Sequence, residues 1–261
     1  MHINRRHILF AAGATATAGI HPAQARAQNK RVSQPELDEA IRLHAMWLAN
    51  INDGQRCRFN GRDLSGLRFG NQGDPPIDLN GADFTQANIS ATEADNILIH
   101  HCSFNGAIFD NCHWQQPVFA FADLRRISAK QATWGTPNPP DPFEPPRADF
   151  SHATLHDADL TEAKISGFFS GTSLFGARLC HADLSYSTFF GPKFCETTFT
   201  GAEMIGAKLR YCQISSARFY NANCTDVDFS HSDFSDVRIE GCNLSGTCFS
   251  NATFERWIDL R

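Results

Sequence analysis

Two clusters of side chains invite a chemical reading. His100, His101 and Cys102 are followed by Cys112 and His113, five potential metal ligands within fourteen residues. A zinc ion takes such groups only where they converge on one point. Patterns that announce nucleophilic or phosphate chemistry are missing, with no Gly-x-Ser-x-Gly, no Walker-type glycine loop and no isolated carboxylate pair. Asp and Glu instead recur at even spacing, and an abundance set by a repeat carries no catalytic information. Nine cysteines raise the question of disulfides. Whether any of these groups meet depends on the elements that carry them.

Those elements follow a period of five. Large apolar centres fall at Phe199, Met204, Leu209, Ile214, Phe219, Cys224, Phe229, Phe234, Ile239, Leu244, Phe249 and Phe254. Two residues before them sit small side chains, among them Ala202, Ala207, Cys212, Ala217, Ala222, Val227 and Cys242. Five matches neither the 3.6 of a helix nor the 2 of a strand. It is the mark of a solenoid, in which each unit buries its apolar side against the coils beside it.

The same word recurs as Ala82-Asp83-Phe84, Ala158-Asp159-Leu160 and Ala182-Asp183-Leu184. In this the chain resembles the pentapeptide-repeat family, whose unit is A-(D/N)-L-x-x, across roughly residues 57–256. The resemblance implies a β solenoid, a right-handed quadrilateral β-helix with four units to a square coil. One inward side chain per unit must then be large and the other small, because four walls converge on the axis. At about twenty residues per coil and ~4.8 Å between coils, some 200 residues make about ten coils and a rod of roughly 48 Å.

Register breaks are visible. Gly70 to Pro76 reads as one bulged unit. Around Gly167-Phe168-Phe169-Ser170-Gly171 one residue is lost, which predicts a kink. Between them the Pro-rich stretch 135–147 holds six prolines, which cannot donate to a ladder, so it must leave the wall as a loop.

Residues 1–27 read as an export signal. Asn4-Arg5-Arg6-His7-Ile8-Leu9 resembles a twin-arginine motif, although a Sec signal is the other reading; a weakly apolar run follows, with Ala25-Arg26-Ala27 at a cleavage-like site. A periplasmic or secreted product is expected, with no membrane span. Its removal takes three arginines and moves the formal charge from −5 to −8. Residues 28–56 form a linker and N-terminal capping helix, with Ser33 and Glu36 as a capping box and Leu37, Ile41, His44, Leu48 and Ile51 as the apolar stripe. Residues 257–261 are a short C-terminal tail, a thin lid that favours a homodimer through that end.

Positions twenty apart stack on one wall. Asp63, Asp83, Ser103 and Asp123 therefore predict an acidic ladder, and Arg178, Thr198, Arg218 and Arg238 a basic one. Inward Cys57, Cys102, Cys112, Cys212 and Cys242 act as slightly larger alanines, leaving Cys180 and Cys195 as an outward pair. The inward Cys and outward His residues of the opening clusters cannot converge, so no metal, cofactor or catalytic residue is expected. Phe175, Phe190, Tyr220, Tyr186 and Tyr211 occupy outward positions, and with Phe168 and Phe169 they predict an aromatic patch. The expected binding residues are these seven aromatics with Arg178, Arg218 and Arg238. The function expected is non-enzymatic: a binding or scaffold protein of the cell envelope whose partner is another protein, not nucleic acid. The family supplies an alternative, a rod resembling DNA that acts on DNA gyrase.

Overall fold

The computed structural model describes residues 31–70, 74–135, 148–185, 187–189, 197, 199–212, 214 and 217–254. One helix, α1 (Gln34–Leu48), precedes a rod of two- and three-residue strands and single bridges, all paired in parallel. The fold is the right-handed quadrilateral β-helix that the repeat implies.

Its four walls are defined by the residue just before each centre. Wall A runs Arg58, Asp83, Ser103, Asp123, Thr154, Ser173 and, further up, Arg218 and Arg238. Wall B runs Asp63, Asn88, Ile108, Ser128, Asp159, Arg178, Glu203, Asn223 and Asn243, nine levels deep. Wall C carries Arg68, Glu93, His113, Thr133, Lys164, Asp183, Lys208, Asp228 and Cys248. Wall D carries Asp78, Leu98, Val118, Asp149, Phe168 and Thr188, then Asp233 and Thr253.

Each word of the repeat has a mechanical reason. The small residue's N–H closes the corner on the preceding centre's carbonyl, as Ala82 does on Leu79 at 2.9 Å. The Asp or Asn then accepts from the N–H two residues on, as Asp83 Oδ1 does from Thr85 at 3.0 Å, an Asx turn. Thr85 Oγ1 donates to the same oxygen at 2.8 Å. The residue two past the centre is left-handed, which favours Gly and Asn, although Gln86, Phe121 and His152 also adopt it. Many of the regularly spaced carboxylates are thus structural pegs.

Inside, rings stack at the coil spacing. Phe119, Phe150, Phe169 and Phe189 form one column with centroids 5.1, 4.8 and 4.7 Å apart. The two core indoles are satisfied from small positions one coil below: Trp114 Nε1 donates to Thr92 Oγ1 at 3.0 Å and Trp134 Nε1 to Cys112 Sγ at 3.1 Å.

The irregularities move the walls. Arg58 pairs with Asp83, twenty-five residues on, and Asp63 with Asn88. Five residues therefore leave the wall near Gly70–Pro76, and Asp63 stands on wall B, apart from Asp83 and Asp123 on wall A. The predicted acidic ladder is split. A second five-residue excess separates Arg178 from its partner Glu203. It falls between the centres Phe189 and Phe199 and leaves the period of five intact. Arg178 consequently lies on wall B, away from Arg218 and Arg238. The residue lost near Gly167 shows as the spacing of nineteen between Thr154 and Ser173. At the Pro-rich stretch the wall is closed: Ala148 N–H donates to Ser166 O at 2.9 Å, and a Cβ on Gly135 would come within 2.4 Å of that carbonyl.

The first coil's open edge is covered by α1 and the residues before it. Val32 N–H donates to Asp63 O at 2.7 Å on wall B. On wall C, the Gln34 side chain takes both polar groups of Arg68, accepting from its N–H at 3.0 Å and donating to its carbonyl at 2.7 Å. On wall A, buried His44 accepts from Cys57 N–H through Nδ1 at 2.9 Å. Ser33 caps the helix by accepting from Glu36 N–H, while the Glu36 carboxylate reaches Arg62 at 2.8 Å. Ile51 falls outside the helix and is exposed.

Two outcomes follow. Phe169→Ala removes a fully buried ring and is expected to cost about 3–5 kcal/mol. Phe168→Ala next to it, on the outer face, is expected to cost under about 1 kcal/mol; urea unfolding followed by tryptophan fluorescence separates them. The second outcome is set by pH. Burial holds His44 below its ordinary pKa of 6.5, against opposing pulls from the Asn80 backbone and Asp78. Its contribution to stability is complete above that value and is lost as pH falls towards the lowered one. The urea midpoint should hold steady above pH 6.5 and decline below it; a midpoint unchanged down to about pH 5 contradicts this role.

Candidate functional surface

The register decides which outward residues are neighbours. Wall A and its edge with wall D carry several unusual side chains. His101, Phe121 and His152 occupy the left-handed corner on three successive levels, and their rings stack at 5.0 and 4.7 Å with 16° between planes. Phe121 is 52% exposed although it is apolar and bears the strain of the corner. On the neighbouring column His156 meets Phe175 edge-on at 5.7 Å, while its Nε2 lies 2.6 Å from Ser173 Oγ. Phe175 is 50% exposed. Beside them Arg125 grips Asp123 with two bonds of 2.7 and 2.6 Å, which holds that carboxyl below its ordinary range. Higher on the same wall Arg218 stands in register with Arg238, and Tyr220 with Glu240.

The ten residues singled out by sequence therefore do not form one patch. Phe175, Tyr220, Arg218 and Arg238 share wall A. Phe168 faces out from wall D and Arg178 from wall B. Tyr211 sits past a wall C centre, where it stacks on His231 at 4.7 Å. Phe169 is fully buried, because after the lost residue it becomes the wall D centre, so it cannot belong to a surface. Tyr186 and Phe190 lie outside the described residues. Phe121, His101 and His152 were missed as a group. The available signal was a bulky ring two residues past a centre, where the fold favours Gly or Asn.

The chemical clusters separate as well. Cys102 is buried with Sγ 3.1 Å from Leu79 O, Cys112 is the partner of Trp134, His101 stacks on Phe121 and His113 faces out from wall C. Among the described residues no three His, Cys, Asp or Glu side chains are grouped to hold a metal ion. Cys180 is half-buried, 3.8 Å from Glu203 O, and Cys195 lies outside the described residues. Recesses are shallow. One of about 720 Å³ lies between α1 and the first coil, lined by Leu43, Trp47, Arg56, Arg58 and Arg62. Another of about 110 Å³ lies beside the Arg68–Glu93 ion pair. No helix among the described residues is long and apolar enough to cross a membrane.

A family model described as pentapeptide repeats matches eight copies, in residues 146–167, 193–223 and 217–256, about a third of the chain. Those segments of the chain are pentapeptide repeats. Among solved structures the chain is similar to HetL of the cyanobacterium Nostoc sp. strain PCC 7120, a pentapeptide-repeat protein involved in heterocyst differentiation regulation. The match has 17% identity over 80% of this chain and 91% of that one, with a TM-score of 0.42. It is also similar to QnrB1, a plasmid-mediated fluoroquinolone resistance protein, at 16% identity over 76% and 86% with a TM-score of 0.36. A pentapeptide-repeat protein of the Arabidopsis thaliana thylakoid lumen matches at 20% identity over 59% and 66%, with a TM-score of 0.22. Among curated proteins none matches.

The exposed corner ring can be tested for a structural purpose. Phe121→Gly removes a left-handed strain of about 1–2 kcal/mol together with two ring stacks, on His101 and His152, of about 0.5–1.5 kcal/mol each. The two effects roughly balance, and the stability by urea denaturation is expected to stay within about 1 kcal/mol of the parent. A loss above about 1.5 kcal/mol would make Phe121 a structural brace.

Proposed function

We propose that this protein is a non-enzymatic binding or scaffold protein of the cell envelope, exported to the periplasm or beyond, and that it recognises another protein through wall A of the rod. One observation carries the reading. Phe121 and Phe175 are held half-exposed on adjoining columns, flanked by His101, His152 and His156, at positions where the fold itself asks for small or polar residues. A rigid column of apolar rings with polar neighbours suits a protein surface. Tyr220, Arg218 and Arg238 extend the same wall and supply the aromatic and guanidinium groups typical of interface anchors. Rods of this kind generally act as structural or binding scaffolds, since they offer a long fixed surface and few deep clefts.

Charge favours a protein partner over mimicry of DNA. A duplex mimic asks for acidic columns along the rod. Here wall C alternates Arg68, Glu93, Lys164, Asp183, Lys208 and Asp228, while wall A ends in Arg218 and Arg238. The export reading rests on the twin-arginine-like start and the Ala25-Arg26-Ala27 pattern, and it places the partner outside the cytoplasm. At the C-terminal end Leu244 and Phe249 are half-buried and Phe254 is 46% exposed, so a homodimer through that end belongs to the proposal.

Fractionation of the native host with mass analysis of the mature N-terminus tests the address. A periplasmic chain starting near Gln28 supports it, and an intact cytoplasmic chain starting at Met1 returns the gyrase-directed reading. Cross-linking in the same fraction tests the surface. The Phe121→Ala, Phe175→Ala double variant, folded by circular dichroism, is expected to lose the cross-linked partner by tenfold or more. Undiminished cross-linking rules wall A out.

A further inference from the structure

The recess of about 720 Å³ between α1 and the first coil opens at the foot of wall A, and its sides are fixed by backbone bonds. Gln55 N–H donates to Leu43 O at 3.0 Å and Gly54 N–H to Ile51 O at 3.1 Å, so the chain leaving α1 folds back along the helix. Gly54 lies so close that a Cβ there would stand 2.4 Å from the Trp47 backbone nitrogen. Trp47 is 40% exposed, and its ring rests 5.2 Å from that of buried His44, which is itself held by the Cys57 N–H. Ala40 and Leu43 continue the apolar side of the lining. An exposed indole braced in this way is a preformed apolar contact.

The rest of the lining is charged. Arg56 and Arg58 flank inward Cys57 and are both exposed. Arg56 Nε donates to Gly81 O at 2.6 Å on the level above, which positions the guanidinium without neutralising it. The Arg58 side chain has no hydrogen-bond or ion-pair partner among the described residues. The carboxylates of the recess are already engaged, Glu36 with Arg62 at 2.8 Å and Glu39 with the Arg42 fork at 2.8 and 2.7 Å. Asp83, one level up and within reach of the Arg56 charge, gives its Oδ1 to the Thr85 turn. Arg56 and Arg58 are thus cations in excess, in the same recess as an exposed indole.

We propose that this recess binds an extended peptide of a partner protein that carries an aspartate or glutamate next to a bulky apolar residue. The carboxylate is taken by Arg58 and the outer nitrogens of Arg56, in the forked geometry that a guanidinium offers. The neighbouring apolar side chain covers the Trp47 indole. Charge selects the ligand, because a neutral or basic peptide leaves the two guanidiniums uncompensated and an acidic one neutralises them. The Gly81 corner that anchors Arg56 stands one level beneath His101, so the recess continues the edge that carries the ring column. Binding here does not depend on those rings.

The full-length chain is titrated into a fluorescein-labelled peptide, Ser-Asp-Phe-Asp-Leu-Ser, and anisotropy is read at low ionic strength. Two companions, Ser-Asn-Phe-Asn-Leu-Ser and Ser-Asp-Ala-Asp-Ala-Ser, remove the charge and the apolar groups in turn. The first peptide is expected to bind about tenfold more tightly than either companion. Arg58→Gln, which breaks no internal contact of that side chain, is expected to weaken it by about tenfold. Trp47→Ala should remove the advantage over the alanine companion. Circular dichroism and the urea midpoint verify that each variant is folded. The Phe121→Ala, Phe175→Ala double variant should bind the peptide as the parent does, so failure of the ring column and failure of the recess are read separately. No binding at millimolar protein, equal binding of the acidic and neutral peptides, undiminished binding by Arg58→Gln, or loss of binding in the double variant overturns the proposal. Capture of phosphatidylglycerol vesicles through the same arginines, without peptide binding, assigns the recess to lipid headgroups and likewise overturns it.

Discussion

Backbone hydrogen bonds tie each level of this rod to the one beneath, and the square they enclose has room for one large and one small side chain per wall. The remaining features follow from that enclosure. Rings must lie flat on one another, which is why the Phe119–Phe150–Phe169–Phe189 column repeats at the coil spacing. Polar groups at the small position must find a carbonyl or indole within the core, as Thr92 and Cys112 do with the two tryptophans. The chain must also turn a corner every five residues, and many Asp and Asn side chains hold that corner by accepting from the N–H two residues on, often with a Ser or Thr hydroxyl added.

The same enclosure makes the ends the weak points, because their bonding groups have no next level. At the start the solution is made of side chains and one short backbone contact: Val32, Gln34 and His44 each serve a different wall. The Gln34 amide is an apt substitute, since it carries one donor and one acceptor in nearly the geometry of a peptide group. Towards the other end the centres Leu244, Phe249 and Phe254 grow less covered.

The fold was legible in the sequence because a period of five is written in residue size and leaves little choice of architecture. The helix and its cap were legible for a similar reason, in Ser33 and the Leu37–His44 spacing. Neighbourhood across levels was harder to read. Insertions of five keep the phase of the centres while rotating every later residue by one wall. The one near Gly70 announces itself through its glycines and prolines. The one between Phe189 and Phe199 hides, because Phe194 fits the period as a centre would, and it is what carried Arg178 away from Arg218. The lost residue near Gly167 was seen, yet its effect on Phe169 was not: a one-residue slip turned an expected surface ring into a core ring.

The closed base of the Pro-rich stretch has a consequence of its own. Gly135 and Ala148 sit against each other, bonded to the levels above and below, so the wall is continuous whatever lies between them. Lengthening such a segment adds only about 0.6 kcal/mol of closure entropy for each doubling. This edge is therefore a socket in the evolutionary sense, a place where a lineage can swap one peptide for another while the rod keeps its bearings. It is equally a place where a foreign epitope can be grafted without retuning the core.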